Sequence, residues 1–174
     1  EDMNMNIKSN VWRGGALVVG GRYAEGYAVS TAASAVSIAA NSPIMLPAHR
    51  LITAEALAGL GRVDEAIAML DGEIATIAKT RERMHEAEIL RLRGVLTLRK
   101  DASESSVAEA FLTRALELSR TQKAKGWELR TSTSLGKLWQ NQGKRKEALK
   151  LLKPIYDWFT EGFDTKDLKE AKAL

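Results

Sequence analysis

Cysteine is absent from the sequence. Its absence excludes disulfide scaffolds, thiolate zinc sites, iron–sulfur clusters and cysteine nucleophiles, and it suits a reducing cytoplasm, which is the expected location. Only three prolines interrupt the 174 residues, so helices can run long. No apolar run approaches the roughly 20 residues that cross a bilayer, because Ala16–Val19 and Ile38–Ala40 are cut short by glycine, serine and charge. A soluble chain with no membrane partner is expected. Strand signals are missing apart from Leu17-Val18-Val19, which sits inside helical periodicity on both sides. A chain of this length buries about 70% of its unfolded surface, so its core needs no metal or disulfide staple. The sequence opens on Glu1-Asp2 and stops at Leu174 inside a helix-like segment, and it reads as a piece of a longer protein.

What is present is helix-forming and repetitive. Alanine, leucine, glutamate, lysine and arginine dominate. A glycine-plus-cation turn followed by glutamate and a small residue recurs: Gly21-Arg22-Tyr23-Ala24-Glu25-Gly26, Gly61-Arg62-Val63-Asp64-Glu65-Ala66 and Gly143-Lys144-Arg145-Lys146-Glu147-Ala148. Ser106-Val107-Ala108-Glu109-Ala110 is a degenerate copy. The closing small residues Gly26, Ala66, Ala110 and Ala148 are spaced 40, 44 and 38 apart, which suits a pair of helices. A second small residue precedes each of them by one helix: Gly14, Ala54, Gly94 and Gly136. Two helices approach closely only where the crossing residues are small, so paired small positions are what a packed helical hairpin needs.

The expected fold is all-α, a single domain over residues 1–174, with units near 3–40, 45–79, 81–121 and 124–160 and a short C-terminal helix over 164–174. Helices are expected near 3–20, 22–40, 45–60, 62–79, 81–100, 106–121, 124–142 and 144–160. Val63, Ala66, Ile67 and Leu70, and likewise Phe111, Leu112, Ala115 and Leu116, form apolar stripes at helical spacing. Asn41-Ser42-Pro43 and Pro47 break the chain after the first pair, Ser106 with Glu109 reads as a capping box, Gly162 ends the last long helix, and Asp164 or Thr165 caps the closing one. Hairpins of this kind cannot bury an apolar face alone. Stacked, they leave a concave surface lined by the first helix of each pair.

Chemistry-bearing motifs fail at their decisive positions. Gly15–Arg22 has phosphate-loop glycine spacing, yet Gly21 and Arg22 stand where lysine and a hydroxyl are required, so hairpin packing is the better account of these glycines. His85-Glu86 opens like a zinc-protease helix, but Ile89 replaces the second imidazole. His49 has no ligand set around it in sequence, and Glu86 and Glu88 point to different helix faces. No catalytic residue, metal or cofactor is expected. Trp12, Trp127, Trp139 and Trp158 read as filler between hairpins rather than as a stacking site.

Positive charge is uneven: Arg120, Lys123, Lys125, Arg130, Lys137, Lys144, Arg145, Lys146, Lys150 and Lys153 crowd one stretch. Such a cluster attracts acidic partners at long range. It lacks a recognition-helix motif and interleaved aromatics, which argues against nucleic acid and for an acidic protein or intramolecular segment. The first helices of units three and four are expected to direct Glu88, Arg91, Arg99, Arg130, Ser134, Lys137, Gln140 and Asn141 to the concave face as partner contacts.

Leu135-Gly136, Gly143 and Ala148, and also Thr53-Ala54, Gly61 and Ala66, resemble the tetratricopeptide repeat, although the steps exceed the usual 34 residues and the third unit lacks a turn glycine. That resemblance implies a right-handed α-solenoid. Gly61–Ala66, Glu86–Gly94, Trp127–Arg130, and Trp158–Thr165 with Asp167–Ala171 look like the C-terminal repeat region of bacterial class III adenylate/guanylate cyclases that carry a nucleotide-switch ATPase. This likeness implies a regulatory, protein-binding arm whose parent is a cyclase, with catalysis in other domains. The alternatives are a stand-alone repeat scaffold, the repeat region of an ATPase transcriptional regulator, and a small-molecule sensor groove.

Overall fold

The computed structural model describes residues 3–41 and 45–174 and is all-α. Among these residues the helices are α1 (Met3–Val19), α2 (Tyr23–Ala39), α3 (Leu46–Gly59), α4 (Val63–Thr80), α5 (Glu86–Lys100), α6 (Ser105–Thr121), α7 (Lys125–Asn141), α8 (Arg145–Tyr156) and α9 (Lys166–Lys172). None is long and apolar enough to cross a membrane. Contacts divide the chain into two compact units, Glu1–His85 and Glu86–Leu174. The first holds the pairs α1–α2 and α3–α4, and the second holds α5–α6, α7–α8 and α9. Within each unit consecutive helices pack together, and first helices also touch: α1 with α3, α5 with α7, and α7 with α9. Pair-on-pair stacking of this kind is the packing of a helical repeat.

Each pair closes on small side chains. A Cβ added at Gly26 would lie 3.3 Å from the Gly14 carbonyl oxygen and 2.6 Å from Val18 Cγ2, so α1 and α2 meet where neither carries bulk. Ala54 and Ala66 are fully buried in the second pair. In the fourth, a Cβ on Gly136 would stand 3.9 Å from Ala148 Cβ. The third pair departs from expectation. Ala110 is exposed, whereas Ala108 is fully buried, with its carbonyl oxygen 3.0 Å from a Cβ on Gly94. Residues two apart on a helix point roughly 200° apart, so only one of these alanines can face Gly94.

With Ala108 in that role the repeat becomes regular. First-helix positions 14, 54, 94 and 136 advance by 40, 40 and 42, and second-helix positions 26, 66, 108 and 148 by 40, 42 and 40. The two extra residues lie between α5 and α6. There the 3-10 turn Ala102–Glu104, started by an Asp101 side chain that accepts from the Ser103 amide at 2.8 Å, replaces a glycine turn.

The other pair turns share one geometry. Gly21, Gly61 and Gly143 adopt φ of 76°, 82° and 79°. Around each, the next residue's amide reaches five residues back, as Arg62 N to the Leu57 carbonyl oxygen at 2.9 Å, the left-handed cap that glycine adopts without strain. Lys123, at φ 55°, makes the same turn between α6 and α7 without glycine.

Several boundaries move. α5 begins at Glu86 rather than 81, since Arg81 takes a left-handed φ of 60° and ends α4. α8 stops at Tyr156, two residues past Pro154, which has no amide to donate and crowds the preceding turn. The Ser106–Glu109 capping box does not form: α6 starts at Ser105 without a side-chain cap, and Glu109 accepts from Trp139 and Gln142 instead. Thr165 does stand at the start of α9, but its hydroxyl donates back to the Gly162 carbonyl. The break at Ser42-Pro43 lies outside the described residues.

Candidate functional site

The residues expected at the partner-binding face converge on the first helices of the second unit, where the structure assigns most of them intramolecular work. Glu88 is 1% exposed. Arg91 Nε and Nη2 donate to its two carboxylate oxygens at 2.9 and 2.8 Å, and Arg130 Nη1 lies 2.7 Å from Oε1. Arg91 Nη1 also donates to Ser134 Oγ at 3.3 Å, and that hydroxyl donates to the Arg130 carbonyl at 3.0 Å. A carboxylate this buried needs paired, hydrogen-bonded cations, and two arginines from two helices supply them. Glu88 and Arg91 therefore stitch α5 to α7 and are not open to a partner.

Further along α7 the same face meets α9. Lys137 Nζ donates to Glu170 Oε2 at 2.8 Å, Arg130 Nε lies 3.8 Å from Asp167 Oδ1, and Gln140 Nε2 donates to the Leu174 carbonyl at 2.7 Å. The hydrogen bond from Lys137 holds the Glu170 carboxyl below its usual range, with burial opposing. Leu168 and Ala171 are buried against Leu129, Leu152 and Ile155, with Tyr156, Phe159 and Leu174 packed on the edge. A Cβ on Gly136 would come within 2.7 Å of Leu174 Cδ2, so the glycine makes room for that leucine. Arg99 and Asn141 remain exposed and join neither cluster.

Asp167, Leu168, Glu170 and Ala171 of α9, and Leu174 just beyond it, are contacts that the sequence pattern alone does not single out. The available signal was the match of acids at spacing three to the cations Arg130 and Lys137, with Leu168 and Ala171 at the same spacing beside them.

Much of the basic stretch is neutralised locally. Arg120 and Lys125 both bond Glu128, whose carboxyl feels burial pushing its pKa up but is held low by these two cations. Lys153 bonds Asp157, while Arg145, Lys146 and Lys150 stay exposed on α8. Trp127 and Trp139 are half-buried, and Trp139 Nε1 donates to Glu109 at 2.7 Å. Trp12 and Trp158, expected as filler, are 79% and 56% exposed.

The first unit carries an open cavity of about 640 Å³ between α2, α3 and α4, lined by Tyr27, Arg50, Met69, Gly72, Glu73 and Thr76 among others. Arg50 bonds the buried Glu73 across it, and Arg62 stacks over Tyr27 with its guanidinium 5.2 Å from the ring centre. Gly15–Arg22 forms the end of α1 and its turn. Among the described residues no three histidine, aspartate or glutamate side chains gather as a metal site. No protein-family model matches the chain, and no curated protein matches it.

Proposed function

We propose that this chain is a cytoplasmic protein-interaction module that works by surface recognition, the regulatory arm of a signalling protein resembling bacterial class III adenylate/guanylate cyclases. The observation that carries the reading is the α7 face: a first helix of the repeat whose Arg130 and Lys137 meet Asp167 and Glu170 of α9, while Gln140 and Gly136 receive Leu174 just beyond it. Selecting a helix by apolar anchors and flanking charges is a recurrent use of helical surfaces. Panning the chain against a library of displayed helices tests it. Enriched binders whose capture is lost in Lys137→Glu are expected. Absence of any enriched helix rejects the reading.

The cavity beside Arg50 and Glu73 favours a second reading, a small-molecule sensor. A thermal-shift screen with nucleotides and metabolites separates the two, since a ligand at a hundredfold its dissociation constant adds about 2.7 kcal/mol to the folded state.

A further inference from the structure

We infer that the cavity between α2, α3 and α4 is a binding site for a small, flat, uncharged molecule whose edge carries a carbonyl beside an N–H, as a carboxamide, lactam or nucleobase does. The inference rests on the small-molecule reading of this cavity given above and names the ligand's chemistry.

The Arg50–Glu73 pair leaves much of its hydrogen bonding unspent. Glu73 is 2% exposed, and a carboxylate withdrawn from water to that extent needs a donor at each oxygen. Two carboxylates buried in the second unit have them. Glu88 accepts from Arg91 on both oxygens, and Glu128 takes Arg120 on Oε1 and Lys125 on Oε2. Even the exposed pairs Arg22–Glu25 and Arg62–Glu65 are two-pronged. Arg50 reaches Glu73 through Nη1 and Oε2 alone. Among the described residues nothing donates to Glu73 Oε1, and nothing accepts from Arg50 Nε or Nη2. Both side chains line the cavity.

The pair is neutral as a whole, so it selects by hydrogen-bond pattern rather than by net charge. Its unspent N–H donors and its unspent oxygen call for an acceptor beside a donor. A carboxylate ligand would meet Glu73 as a like charge, and an ammonium would meet Arg50 as one.

The rest of the cavity suits a flat ring. Gly72 lies in the interior of α4 with no positive φ, and a Cβ there would meet nothing within 4 Å. Neither a turn nor packing within the unit calls for that glycine, and it weakens the helix relative to alanine. What it does is bare the α4 backbone to the cavity, so that a ring can approach closely. Tyr27 and Met69 supply aromatic and thioether surface beside it. The volume of about 640 Å³ falls within the usual range for small-molecule sites.

The test is a titration of the isotope-labelled full-length chain with nicotinamide and with hypoxanthine, followed by NMR. Saturable shifts are expected at Tyr27, Arg50, Met69, Gly72 and Glu73. N,N-dimethylnicotinamide, which keeps the ring and carbonyl but has no N–H, and nicotinate are each expected to bind at least about tenfold more weakly than nicotinamide. Glu73→Gln keeps an oxygen for Arg50 but puts an NH2 in place of the unspent acceptor, and a loss of about tenfold is expected. Gly72→Leu is expected to raise the melting temperature, since leucine favours helix, and to abolish the shifts by filling the cavity. Equal affinity for nicotinamide and its dimethyl derivative overturns the inference, as does unchanged affinity in Gly72→Leu or the absence of saturable shifts with both amides. Should Glu73→Gln lose helicity, the ligand comparison and Gly72→Leu decide. A thermal-shift ligand without the amide edge whose effect Gly72→Leu removes refutes this pattern but leaves the small-molecule reading standing.

Discussion

At position 108 a buried alanine lies against Gly94, and two residues on Ala110 faces water, although both fit a small-residue motif equally well on paper. The distinction depends on where α6 starts, and that depends on a 3-10 turn with no counterpart in the other pairs. Ala108→Leu is expected to lose about 1–3 kcal/mol by overpacking against Gly94, while Ala110→Leu stays within about 0.5 kcal/mol. Urea midpoints read both. Small residues were therefore legible as a class, and their exact faces were not.

His49 makes a second residue-scale point. It is fully buried, and neither ring nitrogen has a hydrogen-bond partner. Burial holds its pKa below the ordinary 6.5, so the folded chain keeps the ring neutral where the unfolded chain protonates it. The stability this contributes is present above about pH 6.5 and is lost as pH falls below it. The melting temperature of the wild type should drop more between pH 7 and pH 5 than that of His49→Leu. Parallel pH profiles would contradict this. In the sequence alone His49 was simply a histidine without ligands.

At the scale of elements, helix existence and order were plain from periodicity, because apolar stripes such as Ala66–Leu70 and Leu112–Leu116 do bury. Ends were less legible. A left-handed Arg81 shortens α5, Pro154 shortens α8, and Glu109 is drawn from a local cap to Trp139 by a hydrogen bond 30 positions away. Asp101→Ala is accordingly expected to lower the melting temperature, since Asp101 caps the turn before α6, and Ser106→Ala to be near neutral. Gly61→Ala should lose about 1 kcal/mol or more at a φ that alanine resists. Lys123→Gly, at the same turn geometry, should be neutral to stabilising. Thermal denaturation of the four variants checks the ranking.

At the scale of the molecule, charge and repeat period pointed to α5 and α7, where Glu88, Arg91, Arg130, Ser134, Lys137 and Gln140 make intramolecular contacts while Arg99 and Asn141 stay exposed. Their roles were hidden because burial is a tertiary property. The spacing of Glu88 and Arg91 looks like an ordinary solvated ion pair, and only the arrival of Arg130 from a helix about forty residues on makes it interior.

The most direct test is an NMR titration of the isotope-labelled chain with a helical peptide enriched by panning. Shift changes are expected to concentrate at Arg130, Gly136, Lys137, Gln140 and throughout α9, with Tyr27, Arg50 and Glu73 unmoved. Perturbations centred on the α2–α4 cavity, or none at saturating peptide, would contradict the account.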